Sequence, residues 1–338
     1  MLPSKLVFQD RLPSYGKLAK AHPDRKIVLI YDQILGRLEP QFVSQFGLSF
    51  PLRSGEKIKS LAFLKKFLEK LVKKTAGEKL VFVGFGGGTI GDFTGFVASI
   101  YQRGCPLIHI PSTWLAALDS SHGGKTGINV FSYKNQIGSY WPADSTFLVK
   151  ALLCKQPEKR IQDVKGELIK TSLLRGDSLW KNDRHLKNPR ALWHYLPEAI
   201  RYKYSIVKKD PFEKKGLRQI LNFGHTIGHV LELQEGLPHG EAVRLGICFD
   251  LNWSYHRGLI TSLQLKEFQK CDWWVSAQDL AKTLRRIKNF SALLSRDKKR
   301  IATTIRYTLL RGPGKSLLLN LPLSEVVSEY RRQSGGEA

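Results

Sequence analysis

The sequence predicts an α/β domain built on a parallel sheet, followed by a mainly α-helical domain. Two observations predict this order: short β-branched runs alternate with helix-like segments in the first part of the chain, and segments with helical spacing dominate after about Ala151. A length of 338 residues suits two domains, since domains commonly hold about 100–200 residues. We therefore expect one domain at residues 1–150 and a second at residues 151–338.

Three apolar runs are predicted to be strands of the first domain: Lys26–Tyr31, Lys79–Gly84 and Pro106–Pro111. The segment Ser60–Lys74 has apolar residues at 61, 64, 68 and 71 with lysines opposite them, which predicts an amphipathic helix. A second helix is expected between the glycine-rich stretch and Tyr101.

The second domain is predicted from three segments with helical spacing, which are Gln162–Leu174, Leu217–Leu233 and Leu263–Trp274. Four scattered cysteines without a C-x-x-C pair argue against a disulfide scaffold or a thiolate zinc cluster. No apolar run reaches the length of about 18 residues that a membrane span needs, and the N-terminal residues lack a signal-peptide core. We expect a cytoplasmic protein with no membrane partner.

The charge is strongly positive, with 54 Lys and Arg against 29 Asp and Glu, a net charge of +25. Such an excess favours nucleic acid, a membrane surface or a phosphorylated substrate as partner. The basic residues are spread along the chain as pairs and triplets, and the basic-aromatic signature of RNA-binding domains is missing from the sequence. We therefore expect a phosphorylated substrate and no nucleic acid.

A glycine-rich loop, Gly86-Gly87-Gly88-x-x-Gly91-Asp92, lies between a predicted strand and a predicted helix. Glycines let the backbone approach a pyrophosphate, and a helix N-terminus offers free N–H groups to it. Asp92 could then hold a ribose hydroxyl or a nicotinamide. The alternative is a tight turn that requires positive φ angles.

Three histidines and one glutamate form a candidate metal set. His225 and His229 share a helix face, His239 follows ten residues on, and Glu167 lies on one helix face with Lys170. One glutamate and two of the three histidines suit a divalent metal with an open coordination position. The alternative is a set of surface histidines beside an intrahelical salt bridge.

Several polar groups, most of them cations or amides, lie near these motifs and suit a phosphorylated polyhydroxy substrate, because Lys and Arg neutralise phosphate through charge-assisted bonds. The alternative for each lysine is a solvated surface position. The candidates are Asp119, Lys125, Lys134, Asn135, Lys203, Arg218 and Asn222.

Taken in order, these motifs resemble the 3-dehydroquinate synthase family of sugar phosphate cyclases, from about Ser54 to Lys299. The resemblance implies a Rossmann-like N-terminal domain that binds NAD, a helical C-terminal domain and a homodimer. The matching blocks include Gly86-Gly-Gly-x-x-Gly-Asp92, Asp119-Ser-Ser, Gly123-Gly-Lys125-Thr, Lys134-Asn135, Glu167-x-x-Lys170, Arg218-x-x-Leu-Asn222-x-Gly-His225-x-x-Gly-His229 and His239-Gly-Glu241.

The resemblance also assigns residues. It implies that Glu167, His225 and His239 bind a divalent metal, Zn²⁺ or alternatively Co²⁺, and that His229 contacts the substrate. The implied NAD-binding residues are Ser54, Glu56, Lys59, Gly88, Thr89, Ile90, Gly91, Asp92, Ser112, Thr113, Lys125, Lys134 and Lys155. The implied catalytic or substrate-binding residues are Arg103 (lent to the neighbouring subunit), Asp119, Lys125, Asn135, Lys170, Lys203, Glu213, Arg218, Asn222, His229 and a lysine of the 298–299 pair.

The implied reaction converts 3-deoxy-D-arabino-heptulosonate 7-phosphate into 3-dehydroquinate and phosphate in the shikimate pathway of aromatic amino acid biosynthesis, with NAD accepting and returning one hydride. Among the positions that depart from the family pattern, Ser54 replaces a usual Asp, and Lys155 replaces a small Thr at the adenine. Three alternatives stay open: another sugar phosphate cyclase, a metal- and NAD-dependent polyol dehydrogenase, and a basic nucleic-acid-binding protein without activity.

Overall fold

The computed structural model of the chain describes residues 4–131, 133–182, 188–294, 300–301 and 303–336. Its contacts divide the chain into two units. The first comprises Met1–Pro157 and Lys203–Phe212, and the second comprises Glu158–Tyr202 and Glu213–Ala338. The units therefore change at Pro157 where residue 150 was predicted, and a short later segment joins the first unit. The lysines at 298 and 299 lie outside the described residues.

The first unit contains a six-stranded parallel sheet and a two-stranded antiparallel hairpin. The strands are β1 Lys5–Gln9, β2 Lys26–Asp32, β3 Ser49–Leu52, β4 Leu80–Gly86, β5 Leu107–Pro111, the hairpin strands β6 Lys125–Val130 and β7 Tyr133–Tyr140, and β8 Ser145–Val149. The six-stranded sheet has the order β1-β8-β5-β4-β2-β3, which confirms the predicted parallel α/β class.

Strand β4 is buried along its whole length because helices cover both faces of the sheet. Its alternate residues enter two separate apolar cores: Phe82 packs in one core, whereas Val83 and Phe85 pack in the other. The strand ends at the glycine-rich loop, so the loop lies at the carboxyl edge of the sheet, where open α/β sheets bind ligands.

The described part of the first unit has helices between its strands and one after β8. The predicted amphipathic helix is confirmed at Leu61–Thr75: the Ser60 side chain accepts a hydrogen bond from the Phe63 N–H, and Leu64, Phe67 and Leu71 are buried. The helices are α1 Tyr15–Ala19, α2 Gln33–Leu38, α3 Pro40–Val43, α4 Leu61–Thr75, α5 Gly88–Ile100 and α6 Lys150–Cys154, with short 3₁₀ turns at Glu56–Ile58 and Tyr101–Arg103 and a π turn at Ala116–Ser120.

The second unit is mainly helical, as predicted, and it also contains a three-stranded antiparallel sheet. One helix, Pro189–Lys209, includes residues of both units, since Lys203–Phe212 is counted with the first. The elements are α7 Glu158–Arg175, α8 Pro189–Lys209, α9 His225–Glu235, α10 His239–His256, α11 Ser262–Gln269, α12 Ala277–Leu284, α13 Phe290–Leu294, β9 Arg300–Ile301, β10 Thr304–Leu310, β11 Ser316–Pro322 and α14 Leu323–Ser334, with 3₁₀ turns at Leu179–Lys181 and Leu217–Asn222.

Two helix predictions for the second unit were too long. The predicted helix at 217–233 is interrupted at Gly224, whose φ of 77° is left-handed, so a 3₁₀ turn precedes α9. The helix predicted to reach Trp274 ends at Gln269. Within the described residues, no helix combines the length and apolar character that crossing a membrane requires.

Candidate active site

Glu167, His225 and His239 come together in the second unit. Glu167 lies in the middle of α7, and the two histidines are the first residues of α9 and α10. The Nε2 atoms of both histidines lie 3.1 Å from Oε1 of Glu167. One ligand atom from each residue therefore lies within 4.8 Å of the others, although the three residues are far apart in the sequence.

Glycines at the crossing of α7 and α10 allow this approach. A Cβ atom added to Gly166 would lie 2.0 Å from the carbonyl oxygen of Gly240, and one added to Gly240 would lie 2.1 Å from that of Asp163. The two helix backbones therefore touch where any side chain would hold them apart. Since Gly166 precedes Glu167 and Gly240 follows His239, the contact brings these two side chains within hydrogen-bond distance.

Hydrogen bonds orient both imidazoles toward Glu167. Nδ1 of His225 lies 3.1 Å from the carbonyl oxygen of Phe223; a carbonyl can only accept, so Nδ1 carries the proton and Nε2 is left with a lone pair. Nδ1 of His239 lies 3.2 Å from Oε2 of Glu232. Outer partners of this kind fix the tautomer and the ring direction of metal-binding histidines.

The electrostatics of the set favour a charged carboxylate. Burial alone would raise the pKa of Glu167, but the Lys170 ammonium, 2.6 Å away, and His225 hold that pKa well below its usual range. Burial lowers the pKa of His225, which keeps its ring neutral. Burial opposes the charged form of His239 too, but hydrogen bonds to Glu167 and Glu232 raise its pKa to about 10.

This donor set fits a divalent metal ion. One carboxylate oxygen and two imidazole nitrogens converge on one point, and three such protein ligands with an open position are typical of catalytic zinc sites. His229 is exposed beside the set, with its ring centroid 5.3 Å from that of His225. Reasoning from the residues left open which two histidines belong together, and the structure groups His225 with His239.

The glycine-rich loop passes from β4 to α5 without any left-handed residue. Gly87 has a φ of −76°, and none of the loop's glycines, all of them described residues, adopts a positive φ. Close packing explains them instead: a Cβ on Gly86 would lie 2.7 Å from Ile90, and one on Gly88 would lie 3.1 Å from Oγ of Ser120. The structure therefore excludes positive φ angles as the reason for these glycines, and the binding of a pyrophosphate by the loop stays a prediction.

Polar residues beside the loop form a hydrogen-bonded network. The buried Lys59 ammonium lies 2.7 Å from Oδ2 of Asp92 and also donates to Oδ1 of Asn135. Nearby, Oε2 of Glu56 accepts from the side-chain amide of Asn129 at 2.6 Å. Burial raises the pKa of Asp92, against the opposing effect of Lys59. The structure thus brings four predicted site residues together.

Comparison with known proteins agrees with this geometry. The model of the 3-dehydroquinate synthase N-terminal domain matches residues 49–163, and that of the C-terminal domain matches residues 165–300. The 3-dehydroquinate synthase of Dictyoglomus thermophilum is 35% identical over 316 residues, covering 90% of this chain and 87% of the relative. The chain belongs to the 3-dehydroquinate synthase family.

Two further proteins show how far the likeness extends. The 3-dehydroquinate synthase of Leptospira interrogans is 30% identical over 337 residues, covering 94% of this chain and 92% of the relative. The fold is shared with 2-epi-5-epi-valiolone synthase of Streptomyces hygroscopicus, which was solved with NAD⁺ and Zn²⁺ bound. That structure has a TM-score of 0.81 and 21% identity, with 99% of this chain and 98% of that chain covered.

Other residues that the family resemblance assigns to NAD binding surround the loop. Oγ of Ser54 lies 2.8 Å from Oγ1 of Thr89, and the Ser112 N–H donates to the Gly86 carbonyl at 2.9 Å. Lys155 is elsewhere in the first unit: it is largely exposed and lies 3.5 Å from a carboxylate oxygen of Glu39. The remaining members of this set lie at the loop or on the adjoining turn and hairpin, and they are Gly88, Ile90, Gly91, Thr113, Lys125 and Lys134.

The substrate-binding residues implied by the family are placed in both units. In the first unit, the Lys203 ammonium donates to the carbonyl oxygen of Asp119 at 2.6 Å, while Arg103 is exposed with a φ of 64°. In the second unit, Arg218 is buried on a 3₁₀ turn that also carries Asn222. Glu213 is half-buried with a φ of 55°. Their roles stay predictions.

Sequence reasoning missed His122, which precedes the Gly-Gly-Lys segment. Its ring is buried, with Nε2 2.7 Å from the carbonyl oxygen of Ala117 and Nδ1 3.1 Å from the hydroxyl of Tyr204. Burial lowers the pKa of His122 to about 3, so the ring is neutral. The sequence positions could have drawn attention to this contact, because His122 adjoins the Gly-Gly-Lys segment and Tyr204 adjoins Lys203.

Proposed function

We propose that the protein is a 3-dehydroquinate synthase, a carbon-oxygen lyase that converts 3-deoxy-D-arabino-heptulosonate 7-phosphate into 3-dehydroquinate and phosphate with catalytic NAD and a divalent metal. The observation that carries this proposal is the convergence of Glu167, His225 and His239 in a chain of this family. Zn²⁺ is the proposed metal, with Co²⁺ as the alternative, because the two nitrogens and one oxygen suit such ions.

Glu167, His225 and His239 would hold the metal through one carboxylate oxygen and two Nε2 atoms. When bound there, the metal supplies Lewis-acid polarisation of substrate oxygens. Lys170 lies 2.6 Å from the other oxygen of Glu167 and keeps that carboxylate ionised. Its ammonium also places a hydrogen-bond donor beside the metal set, where it can orient a substrate hydroxyl or carboxylate.

The loop at Gly86–Gly91 and the network of Lys59 and Asp92 would hold NAD, which supplies a reversible hydride acceptor. The backbone N–H groups at the start of α5 suit the pyrophosphate. The buried Lys59 ammonium fixes the Asp92 side chain at 2.7 Å, so the carboxylate is oriented before the cofactor binds.

Cationic and amide side chains that the family resemblance assigns to the substrate would bind its phosphate and carboxylate. Lys203, Asn135, Arg218 and Asn222 supply such groups. Positioning and electrostatic stabilisation are the main contributions that these groups can make. Arg103, exposed at a left-handed position, is proposed to act in the neighbouring subunit of a homodimer.

The deciding experiment follows phosphate release from the heptulosonate phosphate with and without a chelator, while absorbance reports NADH. We expect phosphate release that the chelator abolishes and no net NADH, because the hydride returns within one turnover. Glu167→Ala should lose activity and bound metal together. Net NADH with no phosphate would instead indicate a polyol dehydrogenase, and full activity of metal-free Glu167→Ala would refute the proposal.

A further inference from the structure

The backbone just before His225 is hydrogen-bonded to a side chain of another helix. Helix α9 begins at His225, and the preceding Gly224 is left-handed, with φ 77° and ψ −11°. A helix N-terminus leaves backbone N–H groups in need of partners, and glycine has no side chain to supply one. The Gly224 N–H donates instead to Oδ2 of Asp250, a residue of α10, at 2.7 Å.

Asp250 is a buried carboxyl group, 1% exposed, in a helix otherwise rich in apolar contacts. Its second oxygen accepts a hydrogen bond from the hydroxyl of Tyr307, on β10, at 2.6 Å. Tyr307 is itself 1% exposed. Burying a carboxyl group is unfavourable unless hydrogen bonds compensate, so its presence between α9, α10 and β10 calls for a role beyond filling the core.

The peptide group between Phe223 and Gly224 connects Asp250 to the imidazole of His225. Its N–H donates to Asp250, and its C=O accepts from Nδ1 of His225 at 3.1 Å. The N–H of this peptide group is thus held by the Asp250 carboxyl group, and its C=O holds the imidazole ring of His225. Hydrogen bonds joined in a chain polarise and strengthen one another.

Helix α10 packs closely against Gly224. A Cβ on Gly224 would lie 2.7 Å from Cγ1 of Ile247, and one on Gly246 would lie 1.9 Å from the carbonyl oxygen of Gly224. The turn therefore rests directly on α10, one helical turn before Asp250. Rotating the peptide group would remove both of its hydrogen bonds and take the Gly224 N–H away from Oδ2 of Asp250.

We propose that Asp250 is a positioning residue for the metal set, acting through the Phe223–Gly224 peptide group, and that Tyr307 holds Asp250 in place. This inference rests on the metal site of the proposed function. Asp250 would orient the His225 ring indirectly, through the peptide group. The Nε2 atom of His225 is thereby kept facing Glu167. The His239 ring is oriented directly by a carboxylate, since Glu232 contacts its Nδ1 atom.

The test measures the affinity of the metal-depleted full chain for Zn²⁺ by chelator competition, together with the visible absorption of the Co²⁺ form. Asp250→Ala should bind Zn²⁺ about 10- to 100-fold more weakly, the usual effect of losing an outer partner of a metal ligand. Tyr307→Phe keeps the ring and should lie at the lower end of that range, about tenfold. Both variants should shift the Co²⁺ bands, and Asp250→Asn, which retains an oxygen for the Gly224 N–H, should recover most of the affinity.

Ser254→Ala is the matched control. Ser254 is buried one turn further along α10, donates to the carbonyl oxygen of Asp250 at 2.7 Å and accepts from the Leu310 N–H at 3.3 Å. This variant should lower the melting temperature while its Zn²⁺ affinity and Co²⁺ spectrum stay as in the wild type.

Wild-type affinity in Asp250→Ala, or in Tyr307→Phe if the alanine variant does not fold, would overturn the inference. An equal loss of affinity in Ser254→Ala would overturn it too, because general destabilisation would then explain the result. If the wild-type chain itself failed to bind Zn²⁺ or Co²⁺, the proposed function would fail with it; metal binding by the wild type that the variants leave unchanged would remove only this inference.

Discussion

Substituting Gly166 by alanine should separate α7 from α10 and displace Glu167 from His239, although none of the three metal-set residues is itself changed. The new Cβ would lie 2.0 Å from the carbonyl oxygen of Gly240, whereas contacts under 3.0 Å essentially do not occur. The neighbouring atom is backbone, so no side-chain rotation relieves the contact, and the helices must move apart by about 1 Å.

That movement is large compared with the site. Nε2 of His239 and Oε1 of Glu167 are 3.1 Å apart, and an additional separation of about 1 Å exceeds the hydrogen-bond range. Overpacking a close-packed contact costs about 1–3 kcal/mol, so we expect a melting temperature lower by several degrees. Metal affinity should fall more than stability alone explains, because the ligands are displaced from one another.

The assay compares thermal unfolding and Zn²⁺ affinity of Gly166→Ala with those of Gly16→Ala. Gly16 lies in the short helix α1, where an added Cβ would meet no atom within 4 Å. Alanine there should leave stability equal or slightly higher, since it is the better helix former. A Gly166→Ala protein with wild-type melting temperature and wild-type affinity would refute the argument from helix contact.

Three further predictions concern pH, cofactor and assembly. His239 has a pKa raised from 6.5 to about 10 in the metal-free protein, so its contribution to metal-free stability should be complete below pH 6.5 and disappear as pH rises toward 10. Zn²⁺ affinity should increase over the same pH range, because the proton leaves the ring. A stability and a Zn²⁺ affinity that are both independent of pH would contradict this prediction. Lys59→Met should weaken NAD binding measured by calorimetry, because the Asp92 carboxylate loses its 2.7 Å partner, while unchanged affinity would count against the network. Arg103→Ala should be inactive alone yet active in mixed dimers with Glu167→Ala, and dimers that show no rescue would rule out a shared site.

Much of the first unit could be predicted from the sequence because its signals are local. A buried run such as Leu80–Gly86 alternates between two cores, and the spacing in Leu61–Thr75 matches a single apolar helix face. Both patterns depend on neighbours within one element. In the second unit, the break at Gly224 could not be predicted, because glycines are tolerated inside helices and the contacts of Gly224 with Gly246 and Ile247 join residues more than 20 positions apart.

The residue patterns alone predicted the metal set only in part, whereas the family resemblance implied all three residues. Glu167 and Lys170 are three residues apart on one helix, so their contact follows from helix geometry. His225 and His229 have an equally good local relation, yet the structure groups His225 with His239. That choice depends on where α10 begins relative to α7, which the glycine contacts decide.

Long-range polar contacts lay beyond sequence reasoning. In the sequence, Asp250 is a charged residue in a largely apolar helical segment, and Tyr307 is an aromatic residue in a strand pattern. Neither pattern indicates that the two side chains share a hydrogen bond of 2.6 Å. The same holds for His122 and Tyr204, which are distant in sequence and 3.1 Å apart in space.

The burial of Glu167 indicates that this residue serves ligand binding and not the stability of the fold. Its side chain is 2% exposed and is compensated by a lysine that is itself 4% exposed. Buried ion pairs are weak contributors to stability, because desolvation offsets much of their attraction, and apolar residues of equal volume often serve as well. A core selected for stability alone would therefore have little reason to place a carboxylate, an ammonium and two imidazoles in one buried region. Replacing Glu167 and Lys170 together by leucine and methionine should abolish metal binding, yet it should destabilise the metal-free chain less than Glu167→Leu alone, which removes the carboxylate from a buried ammonium. An equal loss of stability in the single and double variants would contradict this argument.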